Sequence, residues 1–140
     1  MSVDFFDSNV LVYIFDDVSL EKQRIAHDLI RGAIASDTGA ISYQVVQETL
    51  NVITSKLNPR IPQHEARHFL ADILVPLWRI MPSNALYERA LSIQARYQFG
   101  FYDSLIVAAA LDAGCTRLYT EDMQHGQQIE NLAITNPFRH

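Results

Sequence analysis

Apolar and polar positions along this chain change period several times, and each change predicts an element. Residues 3–6, "VDFF", make a short, nearly continuous apolar run of the kind that fills a buried strand. Asn9 then stands where it can cap a short helix through Val10, Leu11 and Ile14. Ser19 caps a longer helix predicted to reach about residue 35, with Ile25, Leu29, Ile30 and Ile34 on its inward stripe. "GAIS", residues 39–42, reads as a second strand. Over residues 43–57, "YQVVQETLNVITSKL" sets Val45, Val46, Leu50, Ile53 and Leu57 on one helical face and stops before Asn58-Pro59. A further helix follows, with Pro62 in its first turn.

The second half continues the alternation. A strand is predicted over residues 78–81, then a helix capped by Asn84 and running to about residue 97, with Gly100 closing that segment. Another helix opens at Tyr102-Asp103-Ser104 and continues through the apolar "LIVAAALDAG" to a stop at Gly114. "RLYT" (117–120) is a strand, Asp122 lies in the turn after it, and "LAIT" (132–135) is a last strand. Strands alternating with helices imply the α/β class: a three-layer α/β/α sandwich around a central, mainly parallel sheet with right-handed crossovers. Nothing in the pattern resembles a linker, repeat or low-complexity tract, so residues 1–140 read as one domain. In such sheets functional groups gather beyond the carboxyl ends of the strands, where Asp7 and Asp122 fall.

Composition narrows the function. Asp4, Asp7, Asp16 and Asp17 punctuate the N-terminal apolar stretch, and no run reaches the ~18 apolar residues of a membrane span, so neither a signal peptide nor a membrane segment is expected. The single cysteine, Cys115, reads as a core residue in a reducing compartment, which together with the missing leader points to the cytoplasm. A net charge of −5 argues against a general nucleic-acid coat, since sequence-independent binding neutralises phosphates with Lys and Arg. Contact with a nucleic acid must therefore be local. The best stretch for it is 49–71, where Glu65 is the only acid against Lys56, Arg60 and Arg67; a merely solvated surface is the plainer reading of such a run.

Four acids stand out by position: Asp7 after the first strand, Glu48 bordering the inward stripe of its helix, Asp103 at the start of the apolar helix, and Asp122 after "RLYT". Singly, Asp103 and Asp122 are explained as first-turn or capping acids beside a helix dipole. Gathered in one pocket, the four would raise one another's proton affinity and oppose folding unless a cation neutralised them. Carboxylate oxygens without nearby Cys or clustered His select Mg²⁺ or Mn²⁺ over zinc, and Mg²⁺ commonly bridges carboxylates to a substrate phosphate.

Taken together, "FFDSNVLVY" (5–13), "QETLNVI" (47–53), "YDSLIVAAA" (102–110), "LYTEDMQHG" (118–126) and the closing "NPF" (136–138) resemble a PIN domain, in particular the VapC-type toxin ribonucleases of bacterial toxin-antitoxin pairs. The resemblance covers essentially the whole chain and implies a PIN-like sandwich. It places the family's acidic centre on Asp7, Glu48, Asp103 and Asp122, with metal held by Asp7, Asp103 and Asp122 and Glu48 a ligand or general base. Asn9 and Thr120 match polar residues that orient the acids, and Ser8 and Ser104 could support the site or merely cap helices. Asp4, Asp16, Asp17 and Asp112 have no counterpart and read as solvated. The implied activity is an endoribonuclease dependent on Mg²⁺ or Mn²⁺, one ion or two, partnered by a small antitoxin and forming a homodimer.

Competing readings are separable. A haloacid-dehalogenase-like phosphatase needs a second Asp two positions after the first, where Asn9 stands, and a phosphorelay receiver needs an adjacent acidic pair and a late lysine, whereas the only lysines are Lys22 and Lys56. A different class is a PIN fold that keeps its acids but serves as a metal- and partner-binding module with little turnover, since fold does not imply function. A free-standing PIN nuclease without an antitoxin is the remaining alternative.

Overall fold

The computed structural model describes residues 3–139. Its centre is a six-stranded sheet built from β1 (Asp4–Phe6), β2 (Gly39–Ser42), β3 (Trp78–Ile80), β4 (Arg117–Tyr119), β5 (Gln128–Ile129) and β6 (Leu132–Thr135), ordered β3-β2-β1-β4-β6-β5. All neighbours are parallel except β5 against β6. Among the described residues, seven α-helices connect the strands: α1 (Ser8–Val12), α2 (Leu20–Ser36), α3 (Tyr43–Asn51), α4 (Gln63–Phe69), α5 (Val75–Leu77), α6 (Asn84–Tyr97) and α7 (Phe101–Asp112). The expected mainly parallel α/β sandwich is the observed one.

β1 is central, and its composition shows why. Phe5 and Phe6 point to opposite faces of the sheet and both are fully buried, so both faces must be covered. Each buried phenyl contributes ~2–3 kcal/mol of transfer free energy. Phe6 stacks on Tyr119, its register partner on β4, with ring centroids 5.5 Å apart. On the same side Gly39 leaves room for Leu77 and Ala33, because a Cβ there would lie 2.6 Å from Leu77 Cδ2. Asp4 at the start of β1 is not solvated as expected. It receives both Nε and Nη2 of Arg117, at 3.0 and 3.1 Å, across the β1–β4 pair. Asp112 likewise pairs with Arg89, and Asp16 accepts the backbone N–H groups of Val18 and Ser19.

Several boundaries differ from the pattern-based expectation for local reasons. α1 begins at Ser8 with Asp7 as its cap, so Asn9 lies inside the helix and its amide is free for other work. α6 is capped by the Ser83 hydroxyl, which accepts the Leu86 N–H at 3.0 Å, and it ends at Gln98 in the left-handed conformation (φ 61°). Gly100 instead precedes α7, which starts one residue earlier than expected. Pro62 caps α4 from outside its first turn. The helix expected to reach residue 57 widens into π turns over Val52–Lys56, and a second π segment, Leu70–Leu74, joins α4 to α5. Strand β3 stops at Ile80, and β5 has no counterpart among the predicted strands. Ser104 to Ala110 of α7 are buried without a break, as a helix enclosed between the sheet and α6 requires. Among the described residues no helix is long and apolar enough to cross a membrane.

Candidate active site

The acids are delivered by the carboxyl edge of the sheet. Beyond β1 and β4 the backbone pairing continues, with Asp7 N–H donating to Tyr119 O at 3.0 Å and Thr120 N–H donating to Thr135 O at 3.0 Å. This seats Asp7 and Thr120 side by side, and the Thr120 hydroxyl donates to Asp7 Oδ2 at 2.9 Å. The other Asp7 oxygen accepts the Ser8 N–H at 2.8 Å. Asn9, projecting from α1, donates its amide to Thr120 Oγ1 at 3.1 Å and to Asp7 Oδ2 at 3.4 Å, while its carbonyl accepts the Glu121 N–H at 3.1 Å. Asp122 N–H reaches the same Thr120 hydroxyl oxygen at 3.2 Å. Thr120 is therefore a hub, and each partner fixes its neighbour's orientation.

Glu48 comes from α3, launched directly off β2 with the Ser42 hydroxyl accepting the Val45 N–H. One carboxylate oxygen accepts the Ser8 hydroxyl at 3.3 Å and the other the Gln44 amide at 3.4 Å; the same amide nitrogen contacts the Tyr102 carbonyl at 3.3 Å. Asp103 stands in the first turn of α7, and the Ser104 hydroxyl donates to Gly100 O at 2.9 Å. Ser104 thus bonds back to its own turn and anchors the segment that carries Asp103. Lys56 and Arg60 are exposed on the segment between α3 and α4, and Arg67 is exposed in the last turn of α4.

Charge couples the four acids although they come from four elements. Burial pushes the Asp7 carboxyl from 3.8 up to about 6, and Glu48 and Asp122 push the same way against the hydrogen bonds from Thr120 and Ser8. Glu48 is raised by burial, with Asp103 and Asp122 adding to it against its bonds to Gln44 and Ser8; Asp103 is raised by burial and by Asp122. Among the described residues, none of the four forms an ion pair with a lysine or arginine. Such a cluster attracts a cation. Among the described residues no three His, Cys, Asp or Glu side chains close tightly enough to make a ready cage. The donors are nonetheless all oxygen, as a hard divalent ion requires, and Mg²⁺ keeps several waters and needs only one or two carboxylates. On donor chemistry the cluster fits such an ion.

Residues 5–127 match the family model of the PIN domain. The chain belongs to the PIN domain family. That match contains all four acids with Asn9 and Thr120. No curated protein sequence matches significantly. Among solved structures, this PIN domain resembles a chain of a toxin-antitoxin complex from Klebsiella pneumoniae, at TM-score 0.68 and 18% identity over 98% of this chain and 99% of that one. It also resembles FitAcB from Neisseria gonorrhoeae, at TM-score 0.64 and 18% identity over 99% and 100% of the two chains. A third neighbour is VapC20 of Mycobacterium tuberculosis, a Sarcin-Ricin loop cleaving toxin, at TM-score 0.58 and 19% identity over 85% and 89%. At these identities the likeness is one of fold.

Two site residues were not singled out from the sequence alone. Gln44 lies four positions before Glu48, a spacing that places both on one helix face and was a usable signal. Lys22, which pairs with Glu121 at 2.7 Å, had none, because its partner is 99 positions away.

Proposed function

We propose that this chain is a divalent-metal-dependent endoribonuclease, hydrolysing RNA phosphodiester bonds as the toxin of a type II toxin-antitoxin pair. The observation that carries the reading is the coupling of Asp7, Glu48, Asp103 and Asp122, which meet at one sheet edge without a basic neutraliser among the described residues. Asp7, Asp103 and Asp122 are assigned to holding Mg²⁺ or Mn²⁺. When bound there, such an ion supplies positive charge for the scissile phosphate and lowers the pKa of a coordinated water. Glu48, half-buried and raised in proton affinity, is assigned to take the proton of the attacking water. Thr120 and Asn9 hold Asp7 in one rotamer, and β1 and β4 behind them give the rigidity that a mobile loop would lack. Exposed Lys56, Arg60 and Arg67 are assigned to RNA phosphates.

An antitoxin and a second copy of the chain complete the proposal. A cavity of about 580 Å³ is lined by Ser8, Asn9 and Glu121, chain neighbours of Asp7 and Asp122, together with apolar side chains including Val12, Phe15 and Leu57; a partner segment filling it would contact these neighbours of the acids. Exposed Tyr43, Met81, Tyr87, Leu91 and Tyr102 offer apolar surface for self-association. The test is cleavage of labelled RNA by the wild type with Mg²⁺, by the wild type with EDTA, and by Asp7→Asn. Cleavage is expected only in the first. Equal cleavage in all three sinks the nuclease, and cation binding without any cleavage leaves the binding-module reading in its place.

A further inference from the structure

Glu121 stands between Thr120 and Asp122, yet its side chain leaves the acidic edge. Oε2 meets Lys22 Nζ at 2.7 Å, and Oε1 accepts the Tyr13 hydroxyl at 2.6 Å. Lys22 Nζ also donates to the Tyr13 hydroxyl at 3.2 Å, so the three groups close a triangle. The ammonium lies 4.9 Å from the Tyr13 ring centroid and 5.4 Å from that of Phe138, and those two rings pack edge to face at 4.7 Å. Lys22 is 36% and Glu121 27% exposed at the side chain, and ion pairs this open contribute little to stability. The position of Glu121 in the chain gives the triangle its significance. Its backbone N–H donates to Asn9 Oδ1, and Asn9 in turn holds Thr120 and Asp7. A path of direct contacts runs from the first turn of α2 to the Asp7 carboxylate.

We infer that Lys22 and Tyr13 are positioning residues: they hold Glu121 away from the acids, and through Glu121 and Asn9 they set the geometry of Asp7, Thr120 and Asp122. The inference rests on the nuclease reading for its purpose, but its readouts do not depend on cleavage. Lys22→Met keeps an apolar stem against the rings and removes the charge. In the metal-free protein this change is expected to move the Asn9 side-chain amide resonances, although Lys22 does not touch Asn9. Affinity for Mn²⁺ alone, measured by titration calorimetry, is expected to fall about tenfold, the usual effect of losing a residue behind a ligand. Lys22→Arg, which keeps a charged donor for Glu121 Oε2, is expected to restore both readouts, whereas a purely structural lysine would give a change in melting temperature alone. Unmoved Asn9 resonances, Mn²⁺ affinity within about twofold of wild type, or failure of Lys22→Arg to restore it overturns the inference. A wild type that binds Mn²⁺ but cuts no RNA refutes the nuclease reading and leaves this one intact.

Discussion

Replacing Asp7 by Asn should make the metal-free protein more stable while abolishing the proposed RNA cleavage. The side chain is 5% exposed, and burial lifts its carboxyl from 3.8 to about 6. At ~1.4 kcal/mol per tenfold change in proton affinity, keeping that carboxylate ionised at neutral pH costs about 3 kcal/mol of folding stability. The sign follows from proton counts. From about pH 4 to about pH 6 the native state retains a proton that the unfolded chain has lost, so stability falls as pH rises through that window, and the penalty is complete above it. Asparagine carries no such penalty. Its carbonyl still accepts the Ser8 N–H, but its amide faces the Thr120 hydroxyl that formerly donated to it, an imperfect exchange costing roughly 1 kcal/mol. A net gain of about 1–2 kcal/mol remains, or roughly 3–7 °C in melting temperature for a domain of this size. Thermal melts in EDTA at pH 7.5 and at pH 4, with RNA cleavage measured in Mg²⁺ alongside, test this. The gain should be present at the higher pH and shrink or reverse at the lower. An Asp7→Asn protein that melts at or below wild type at pH 7.5, with the same offset at pH 4, refutes the claim that a buried charge is held there against its own desolvation.

Three further outcomes are expected. Thr120→Val removes the hydroxyl that joins Asp7, Asn9 and the Asp122 backbone, so cleavage should drop ~10–100-fold, with Thr120→Ser retaining most of the rate; equal rates for the Val variant and wild type would show that the hub is dispensable. Gly39→Ala places a methyl 2.6 Å from Leu77 Cδ2 and 2.9 Å from Ala33 Cβ, and should destabilise by about 1–3 kcal/mol in a guanidinium melt. Changing Lys56, Arg60 and Arg67 together to Gln should flatten the salt dependence of single-stranded RNA binding by about 2 in log–log slope, at ~0.7 for each phosphate that is no longer neutralised; an unchanged slope takes this segment off the RNA path.

Strong periodicity exposed the frame of the fold, and short-range chemistry hid the details. β1, β2, β4 and β6 were legible because each is an apolar run bounded by polar or turn residues. β5 has two residues, too few for an alternation to register, and exists by pairing Gln128 and Ile129 against Ala133 and Leu132. The π segments Val52–Lys56 and Leu70–Leu74 are five residues each, barely one turn, too short for a change of period to register. Asp7, Glu48, Asp103 and Asp122 were visible as acids where the pattern expects apolar or edge positions. Their supports were not, because hydroxyls, amides and ammonium groups draw their meaning from partners brought close only by the fold. Asp4 illustrates the converse: set in an apolar run, it reads as a surface acid, yet the β1–β4 register delivers Arg117 to it.

The order of the strands has a consequence for how the protein is made. β1 is synthesised before both of its neighbours, and it sits between β2 and β4 and stays open along one side until residues 117–119 are made. The last of the four carboxylates, Asp122, arrives three residues later. A nascent chain lacking that late segment can hold neither the closed sheet nor the full charge set. The proposed cutting chemistry therefore cannot assemble on the growing chain before residues 117–122 have joined the earlier strands.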